Sequence, residues 1–423
     1  MAATGRAALT SQGNAARDTA ELVARDSYGR LVALLAVRTR DVAAAEDALA
    51  DAFAAALADW PANGVPARPE AWLVTVARRR LIDAARRRQT GDAAEGTLRL
   101  LAEEVDAAAA AGPRIPDRRL ALLFAGAHPA LDPAIRAPLM LQVVLGLDAK
   151  RIASAFLMSP AAIGKRLGRA KARIREAGIP FAVPDRAELP GRLDTVLDAI
   201  YAAFGDGWGD PAGTDAARRG LSAEALYLAR LAAALMPDEP EALGLLALML
   251  HAEARRGARR NGEGDYVPLA AQETDQWDAA MIAEAEAVLR RASGLGAIGR
   301  YQLEAAVQSA HVERRLTGRA NWAAVIQLYD ALQALTGSPV VALNRLLAVA
   351  EIDGAEAALG EMDTLAGDRR LVDYQPYWAA RAELLARAGA HGESRRAYAM
   401  AIGLEQDPAV RRFLLRRQAG LPE

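Results

Sequence analysis

Apolar side chains recur every three to four residues along most of this sequence, and no convincing run alternates them with polar residues. This spacing places apolar groups on one face of an α-helix, whereas a half-buried strand requires alternation. Closely spaced Pro and Gly interrupt the pattern at 61–69 and again at 180–190. Such clusters end helices and mark turns or boundaries. We therefore predict an all-α protein built from several helical blocks.

The interruptions divide the 423 residues into four segments. A first helical block is predicted for 18–89, and the polar, Ala- and Gly-containing stretch 90–116 has the composition of a linker. A second helical block follows at 117–180, and a long region of helix pairs occupies 190–423. A chain of this length is sufficient for two or three domains, which agrees with this division.

One part of the last region resembles the 34-residue tetratricopeptide pattern. In that pattern, a small residue lets the first helix approach the second, and an aromatic side chain fills the groove beside it. The residues that match its order are Trp378, Ala382, Leu385, Gly389, Tyr398 and Ala401. Neighbouring stretches match less completely, so we predict a helical-repeat-like domain without a definite number of repeats.

Several classes of function are disfavoured by residue types that the sequence lacks. The absence of Cys excludes disulfide frameworks, thiolate metal sites and cysteine nucleophiles. The four His are scattered, no Gly-containing loop carries the Lys-Ser/Thr of a phosphate loop, and no nucleophile–base–acid set is present. The longest apolar stretch is about half of the roughly 20 residues that span a bilayer. We expect no catalytic residue, metal or other cofactor, and a cytoplasmic protein that is not an enzyme.

Charge is distributed unevenly along the chain. Residues 1–189 contain 27 Lys and Arg against 21 Asp and Glu, whereas residues 190–423 contain 25 against 32. The net charge of −1 therefore combines a basic front half with an acidic back half. This asymmetry favours a nucleic-acid-binding module joined to a domain of another kind.

The first basic element is an Arg-rich amphipathic helix predicted after the first Pro-rich turn. Between Val76 and Thr90 it contains six Arg and one Asp, and apolar residues such as Trp72 and Leu73 supply its other face. Such a helix suits phosphate contacts together with a few base contacts. A solvated helix face, or a helix that binds an acidic protein or a membrane, explains the same composition.

The second basic element has the anatomy of a helix-turn-helix. A short helix is predicted for 147–156, followed by a turn that ends at Ser159, the N-cap of the next helix, with Pro160 at its first position. A recognition helix presents its N-terminal residues to base edges and later basic residues to the DNA backbone. The predicted DNA-binding residues are Ser159, Ala161, Ala162, Lys165, Arg166, Arg169, Lys171 and Arg173. An ordinary basic surface helix is the alternative.

Two basic elements about 70 residues apart, joined by a linker, resemble the DNA-binding regions of the sigma-70 family, in its extracytoplasmic-function group. The acidic, Ala-rich segment from Asp41, followed by the Arg-rich helix, resembles region 2, and the helix-turn-helix resembles region 4. A turn of the form WP..G.P..P.AWL, here from Trp60 to Leu73, is similar to that of the subgroup with a long C-terminal helical extension. The resemblance covers nearly the whole chain.

The resemblance implies a role for each segment. The acidic helix would dock on core RNA polymerase by charge complementarity. Its implied polymerase-binding residues are Asp41, Glu46, Asp47 and Asp51. The Arg-rich helix would engage and open the −10 promoter element. Its implied residues are Trp72, Arg78, Arg79, Arg80, Arg86, Arg87 and Arg88. Lys165, Arg166 and Arg169 would read the −35 element through the major groove.

Three positions depart from the family's pattern. Arg79 stands where the family commonly has Asn, and the subgroup's Cys pair before the His-Pro at His128 is absent. We therefore expect a structural or capping role for His128. In the extension, Gly-Asp-Gly-Trp at 205–208 replaces an Asn-Glu-Gly-Tyr.

The sequence as a whole predicts an alternative sigma factor that is regulated by its own C-terminal extension. Its expected partners are core RNA polymerase and promoter DNA, and the extension would mask the basic faces through an intramolecular contact or add a contact needed for activity. One alternative is a helix-turn-helix regulator with a helical ligand- or protein-binding domain. Another is a structural helical-repeat scaffold. The segment 41–88 favours the sigma factor, because a simple regulator does not need it.

Overall fold

A computed structural model describes residues 16–21, 23–24, 27–28, 31–32, 34–36, 42–88, 115, 117–177, 183–208 and 220–422. Within these ranges the regular structure is helical, with one isolated antiparallel bridge between Arg260 and Tyr266. The predicted all-α fold class is confirmed. The chain forms two compact units, Met1–Ala203 and Phe204–Glu423. No helix in the described ranges is both long and apolar enough to cross a membrane.

The first unit contains two helices that pack against each other, α1 (Val42–Asn63) and α2 (Pro69–Arg88). Gly64 lies just beyond α1 with a φ of 84°, and its N–H donates to the Trp60 carbonyl at 2.9 Å. A residue with a side chain would be strained at this φ, which explains the Gly within the Pro-rich turn. The buried residues of the pair include Ala45, Leu49, Ala52, Ala56, Leu73 and Ala77.

Further helices of the first unit are α3 (Arg118–Gly126), α4 (Pro133–Val143), α5 (Ala149–Ala155) and α6 (Pro160–Ala177). The first three each follow an Asp whose carboxylate accepts hydrogen bonds from backbone N–H groups of the first turn. These N-caps satisfy donors that have no partner within a helix. The apolar residues buried in this module include Leu120, Phe124, Met140, Leu141, Ile152, Ile163 and Leu167.

A long helix, α7 (Pro190–Trp208), belongs to both units, because the boundary between them lies after Ala203. Near its start, Arg192 is only 6% exposed and donates to the Phe124 carbonyl in the last turn of α3 at 3.2 Å. The last carbonyls of a helix have no partner within it, so Arg192 satisfies one of them. Its guanidinium also pairs with Glu188 at 3.3 Å. The beginning of α7 is therefore part of the first unit's structure.

The second unit continues as a series of helices, each of which packs against its successor. They are α8 (Leu221–Leu235), α9 (Pro240–Glu253), α10 (Ala279–Ser293), α11 (Arg300–Thr317), α12 (Trp322–Thr336), α13 (Pro339–Ile352), α14 (Ala355–Met362), α15 (Gln375–Arg387), α16 (His391–Leu404) and α17 (Pro408–Ala419).

Helices α9 and α11 approach each other closely at Gly244. A Cβ atom on Gly244 would lie 2.6 Å from the Gln302 backbone nitrogen, so only Gly fits there. One turn earlier, the Glu241 carboxylate accepts hydrogen bonds from the N–H groups of Tyr301 and Gln302 at 2.8 and 3.1 Å. Glu241 thereby accepts from backbone donors that have no partner within α11 and places a negative charge at that helix N-terminus, where it is favourable.

A turn between α9 and α10 contacts the last helix, although 147 to 151 residues separate the contacting residues in sequence. Asp265 pairs with Arg412 at 3.2 Å and with Arg416 at 2.6 Å. Arg260 pairs with Asp407, immediately before α17. The Tyr266 and Phe413 rings meet edge to face with centroids 5.4 Å apart. These contacts connect the middle of the second unit to its last helix.

The stretch that resembles a tetratricopeptide repeat lies in α15 and α16. Its small, large and aromatic residues are buried in one cluster, with Trp378 packed at the edge. Gly389 connects the helices with a φ of 78°. The cluster contains Ala382, Leu385, Tyr398 and Ala401. These residues pack together, and the assignment to the tetratricopeptide repeat stays a prediction.

Candidate polymerase and promoter interface

One side of α1 exposes acidic and small residues. Asp47 and Asp51 are exposed there, together with Ala54 and with Leu57, which is 48% exposed. Residues three or four positions apart lie on the same side of a helix, so these four form one stripe, here named the α1 stripe. Two of the predicted polymerase-binding carboxylates are thus open to solvent. Asp41, also predicted to bind polymerase, lies outside the described residues.

Glu46, at the edge of the α1 stripe, makes a contact with α6. Both of its carboxylate oxygens accept hydrogen bonds from Lys171 Nζ at 2.8 Å. The Lys171 and Glu46 side chains are 21% and 22% exposed. Burial, followed by the charges of Glu46 and Asp47, raises the pKa of Tyr28. A predicted polymerase-binding residue and a predicted DNA-binding residue are therefore paired with each other.

Helix α2 carries the arginines predicted to bind the −10 element. Arg79 and Arg80 are exposed, whereas Arg78 is half-buried. Successive residues on a helix are about 100° apart, so three consecutive arginines cannot share one face. The exposed pair is the part of this run that is available to a nucleic acid. The helix continues through further predicted residues whose side chains lie outside the described structure: Arg86, Arg87 and Arg88.

Two tryptophans meet beside the Pro-rich turn between α1 and α2. Trp60 is buried, and its ring meets that of Trp72 edge to face, with centroids 5.5 Å apart and planes at 65°. Edge-to-face packing of this kind stabilises aromatic pairs. Trp72 itself is half-buried. Its position is therefore held by Trp60 while part of its surface faces solvent.

Helices α5 and α6 are joined by the turn 156–159. Leu157 adopts a φ of 52°, in the left-handed region that Leu rarely occupies. The Ser159 hydroxyl accepts a hydrogen bond from the Ala162 N–H at 3.2 Å, and Pro160 is the first residue of α6. The predicted N-cap and the predicted start of this helix are confirmed.

The basic residues of α6 lie on two different flanks. The core-facing side is marked by its buried residues, Ile163, Leu167, Ala170 and Ile174. At about 100° per residue, four of the basic residues share one side, here named the α6 basic face. They are Lys165, Arg166, Arg169 and Arg173, of which Arg166 is half-buried and the others are exposed. Lys171 lies about 200° further round the helix than Arg169, on the flank that meets Glu46.

Residues 24–90 match the family model described as Sigma-70 region 2. This segment contains α1 and α2, and with them the α1 stripe and the exposed arginines. The chain therefore contains a segment of the sigma-70 region 2 type. Residues 192–293 match a second model, described as a family of unknown function (DUF6596).

A protein of Rhizobium meliloti (strain 1021), described as uncharacterized, is similar to this chain over most of its length. The two are 38% identical over 370 residues, which cover 86% of this chain and 87% of the rhizobial protein. Each of the two units is shorter than the 370 aligned residues, so the similarity extends through parts of both units. No solved structure matches the chain.

His128 lies in the turn after α3. Its Nδ1 accepts a hydrogen bond from the Ala130 N–H at 3.2 Å, and its carbonyl accepts one from the Leu131 N–H at 3.0 Å. Burial, followed by the charge of Arg192, lowers the pKa of His128, which favours the neutral ring that accepts this bond. The predicted structural role is confirmed. The described residues contain no group of three or more His, Cys, Asp or Glu that could hold a metal.

The altered segment 205–208 lies at the end of α7. A Cβ atom on Gly207 would lie 2.5 Å from the Ser222 backbone nitrogen, so α7 and α8 are in close contact there. The Trp208 ring lies 4.2 Å from the guanidinium carbon of Arg259 and 5.2 Å from that of Arg256. In this chain the segment therefore serves packing within the second unit.

A cluster of arginines in the second unit was not predicted as a site, although the pattern Arg-Arg-Gly-Ala-Arg-Arg at 255–260 is visible in the sequence. Arg255 donates to the His251 carbonyl at 3.2 Å and lies 5.8 Å from the Trp277 ring centre. Burial, followed by the charge of Arg259, lowers the pKa of Arg255 to about 10. These arginines contact carbonyls, tryptophans and carboxylates of their own unit, which indicates a structural role.

Proposed function

We propose that this protein is a sigma-70 family member, an alternative sigma factor of the extracytoplasmic-function group, in the subgroup with a long C-terminal helical extension. It binds core RNA polymerase in the cytoplasm and directs promoter recognition and transcription initiation. The observation that carries this proposal is the match to Sigma-70 region 2, in which α1 and α2 expose acidic and basic side chains. Polymerase supplies the chemistry, and this chain supplies binding and DNA opening.

The α1 stripe is the proposed docking surface for polymerase. Asp47 and Asp51 present two negative charges to a basic partner, which speeds association and sets the register of the complex. Leu57, at the end of the same stripe, adds apolar surface that binding can remove from water. Asp41 extends the acidic segment towards the N-terminus in sequence.

Helix α2 is the proposed reader of the −10 element. Arg79 and Arg80 are exposed and can bind phosphates, and Arg can also stack on an unpaired base. Trp72, supported by Trp60, offers a partly exposed aromatic surface about two turns earlier on the same helix. Arg79 adds a charge where the family commonly has Asn, so a further phosphate contact is expected.

The α6 basic face is the proposed reader of the −35 element. Ser159 caps α6, and Ala161 and Ala162 leave its first turn free of bulky side chains, so that it can enter a major groove. Lys165 and Arg169 follow at a spacing that keeps them on one side, where they can reach base edges and phosphates. Region 4 is thus proposed for 117–180.

The extension is proposed to regulate these modules. A deletion that tests this must not begin near Pro184, because it would remove Arg192 from the carbonyl end of α3. A chain that ends after Trp208 retains all of α7. If the extension inhibits, this shorter chain is more active in transcription than the full chain. If the extension supplies a required contact, it is less active. Equal activity and equal polymerase binding would exclude regulation by the extension.

The proposed function is tested by run-off transcription with purified core RNA polymerase and the DNA upstream of the protein's own gene. We expect transcription that depends on this chain, and loss of core binding in the double variant Asp47→Lys/Asp51→Lys. The matched control is Glu263→Lys/Asp373→Lys, which makes the same charge change on exposed loops of the second unit. DNA binding without any binding to core polymerase would refute the proposal and favour a helix-turn-helix regulator.

A further inference from the structure

The last helix of the second unit, α17, exposes a face that is both basic and apolar. Leu414 is buried and marks the opposite side of this helix. At about 100° per residue, Arg412, Leu415 and Arg416 lie together on the exposed side. The two arginine side chains are 53% and 56% exposed, and Leu415 is 46% exposed. These three residues are here named the α17 face.

One carboxylate from a distant part of the second unit lies on the α17 face. Asp265, in the turn between α9 and α10, accepts hydrogen bonds from Arg412 at 3.2 Å and from Arg416 at 2.6 Å, one through each carboxylate oxygen. Only 16% of the Asp265 side chain is exposed. Hydrogen bonding from Arg416 lowers the pKa of Asp265, so this carboxylate is charged at neutral pH. The α17 face therefore already binds an acidic group of its own chain.

This internal pairing leaves the arginines with capacity for a further partner. One carboxylate faces two guanidiniums, so about one positive charge is uncompensated, and half of each arginine side chain remains open to solvent. Ion pairs of this exposure are weak. Asp265 can also leave without displacing its turn, because Arg260 pairs with Asp407 and the Tyr266 ring packs on Phe413. An incoming carboxylate therefore competes with one side chain and not with the fold.

The surroundings of the α17 face favour a protein partner over a nucleic acid. Residues 190–423 contain 32 acidic against 25 basic side chains, and Glu263 is exposed in the same turn as Asp265. This charge repels a long polyanion but has less effect on a short segment that contacts only α17. Leu415 offers apolar surface that an apolar side chain can cover, whereas a phosphate backbone cannot. The face is complementary to carboxylates that flank an apolar side chain.

We propose that the α17 face is a docking site for an acidic, amphipathic segment of a partner protein, and that Asp265 occupies this site in the free protein. The segment places carboxylates on Arg412 and Arg416 and an apolar side chain on Leu415. Because Asp265 must give way first, the apparent affinity for the segment is reduced by the fraction of molecules in which Asp265 is engaged. This inference goes beyond the sigma-factor function and does not depend on it.

The docking site is tested with a fluorescein-labelled synthetic peptide in which Glu and Leu recur at helical spacing. Its binding to the full-length protein is measured by fluorescence anisotropy at low salt. Asp265→Asn should bind the peptide about three- to tenfold more tightly than the parent, because the internal competitor is lost. The matched control is Glu263→Gln, which removes the same charge from an exposed side chain of the same turn and should change the affinity less than about twofold.

Loss of the basic side of the site should have the opposite effect. Arg412→Gln/Arg416→Gln should weaken peptide binding by about tenfold or more, because both carboxylate contacts are lost. The matched control is Arg369→Gln/Arg396→Gln, which makes the same charge change at exposed positions elsewhere in the second unit and should weaken binding less than about twofold. A peptide with Gln in place of Glu should not bind any of these proteins. The unfolding midpoint of each variant shows that it is folded.

Three results would refute the docking site: Asp265→Asn binds the peptide no better than Glu263→Gln does, the two double arginine variants bind it equally, or no variant binds it at about 1 mM. A DNA duplex of arbitrary sequence is the second probe. If Asp265→Asn gains more affinity for this duplex than for the peptide, the α17 face is a nucleic-acid site and the proposal is wrong. None of these measurements needs polymerase or a promoter, so their outcome is independent of the sigma-factor function.

Discussion

The two units of this protein use arginine in opposite ways. In the first unit, Arg79, Arg80 and Arg169 are exposed on helix surfaces. In the second unit, Arg255 and Arg259 are folded inwards, and burial lowers the pKa of each to about 10. The second unit belongs to the acidic half of the sequence, yet part of its interior is rich in positive charge.

Exposed and buried arginines have different effects on binding and stability, because a guanidinium is costly to remove from water. An exposed Arg keeps its hydration until a phosphate replaces it, and the release of counterions then favours nucleic-acid binding. A buried Arg must find hydrogen bonds inside the protein, or its charge destabilises the fold. Arg259, for example, donates to the Trp208 carbonyl at 2.5 Å and stacks on the Trp208 ring. Arginine content alone therefore does not locate a DNA-binding surface.

The largest effect is expected from removing a carboxylate that neutralises a buried arginine. Asp407→Ala leaves Arg260 without its ion-pair partner and also removes the N-cap of α17. Loss of one partner of a buried pair together with a cap should lower the free energy of unfolding of the second unit by about 3 kcal/mol. Urea unfolding, with hydrogen exchange of second-unit peptides, measures this change.

The control for this variant is Asp368→Ala, which breaks the pair with the more exposed Arg370. A surface pair of this kind contributes less than about 1 kcal/mol. If Asp407→Ala costs no more than Asp368→Ala, the arginines of the second unit are not held by internal partners, and the contrast between the units disappears.

A somewhat smaller effect is expected from pH, because the second unit does not tolerate a further buried positive charge. Burial, followed by the charges of Arg255 and Arg314, lowers the pKa of His311 to about 4. An unfolded His has a pKa of about 6.5, so between these values the unfolded state takes up a proton that the folded state does not. Stability is therefore lost as the pH falls through this window, by about 2 kcal/mol between pH 7 and pH 4.5.

His311→Gln should remove this part of the pH dependence, because Gln does not titrate. Unfolding free energies of the two proteins between pH 4.5 and pH 8 test the expectation. The curves should run parallel above pH 7 and diverge below it, with the variant losing less stability. Parallel curves over the whole range would mean that the region around Arg255 and Arg314 accepts a protonated imidazole.

The smallest effect is expected at a single exposed arginine of the first unit. Arg169→Ala should weaken binding to the gene's own upstream DNA about fivefold at 0.15 M salt and lower the salt slope by about 0.9, as the loss of one phosphate contact requires. The unfolding free energy should change by less than about 0.5 kcal/mol. Arg411→Ala, at an exposed position of α17, is the matched control and should leave DNA binding unchanged. Equal losses in both variants would remove the contrast between the units.

Local features of the fold could be predicted from the sequence because their partners are close along the chain. The Ser159 hydroxyl accepts a hydrogen bond from the N–H of a residue three positions later. Gly64 follows the end of α1, in a turn that the neighbouring Pro residues predict. His128 likewise bonds to an N–H two residues away. The helical blocks and the exposed side of α6 follow from periodicity alone, since 3.6 residues per turn determine which residues share a face.

Contacts between distant segments could not be predicted in the same way. Nothing in the sequence pairs Glu46 with Lys171, or Arg192 with the Phe124 carbonyl 68 residues before it. The arginines at 255–260 have the same composition as a nucleic-acid-binding run, and only their surroundings in the fold distinguish them. For the same reason, the match to Sigma-70 region 2 describes α1 and α2 but not the contact that α1 makes with α6.

By itself, the sequence determined the helical class, the helix caps and turns, the asymmetry of charge and the resemblance to sigma-70 regions. These depend on interactions within a few residues or on composition, which a linear pattern records. Only the tertiary structure decided which charged groups stay in water and which are neutralised inside the protein. That decision depends on distances between segments more than 100 residues apart, and the free energy of a charge depends on its surroundings more than on its residue type.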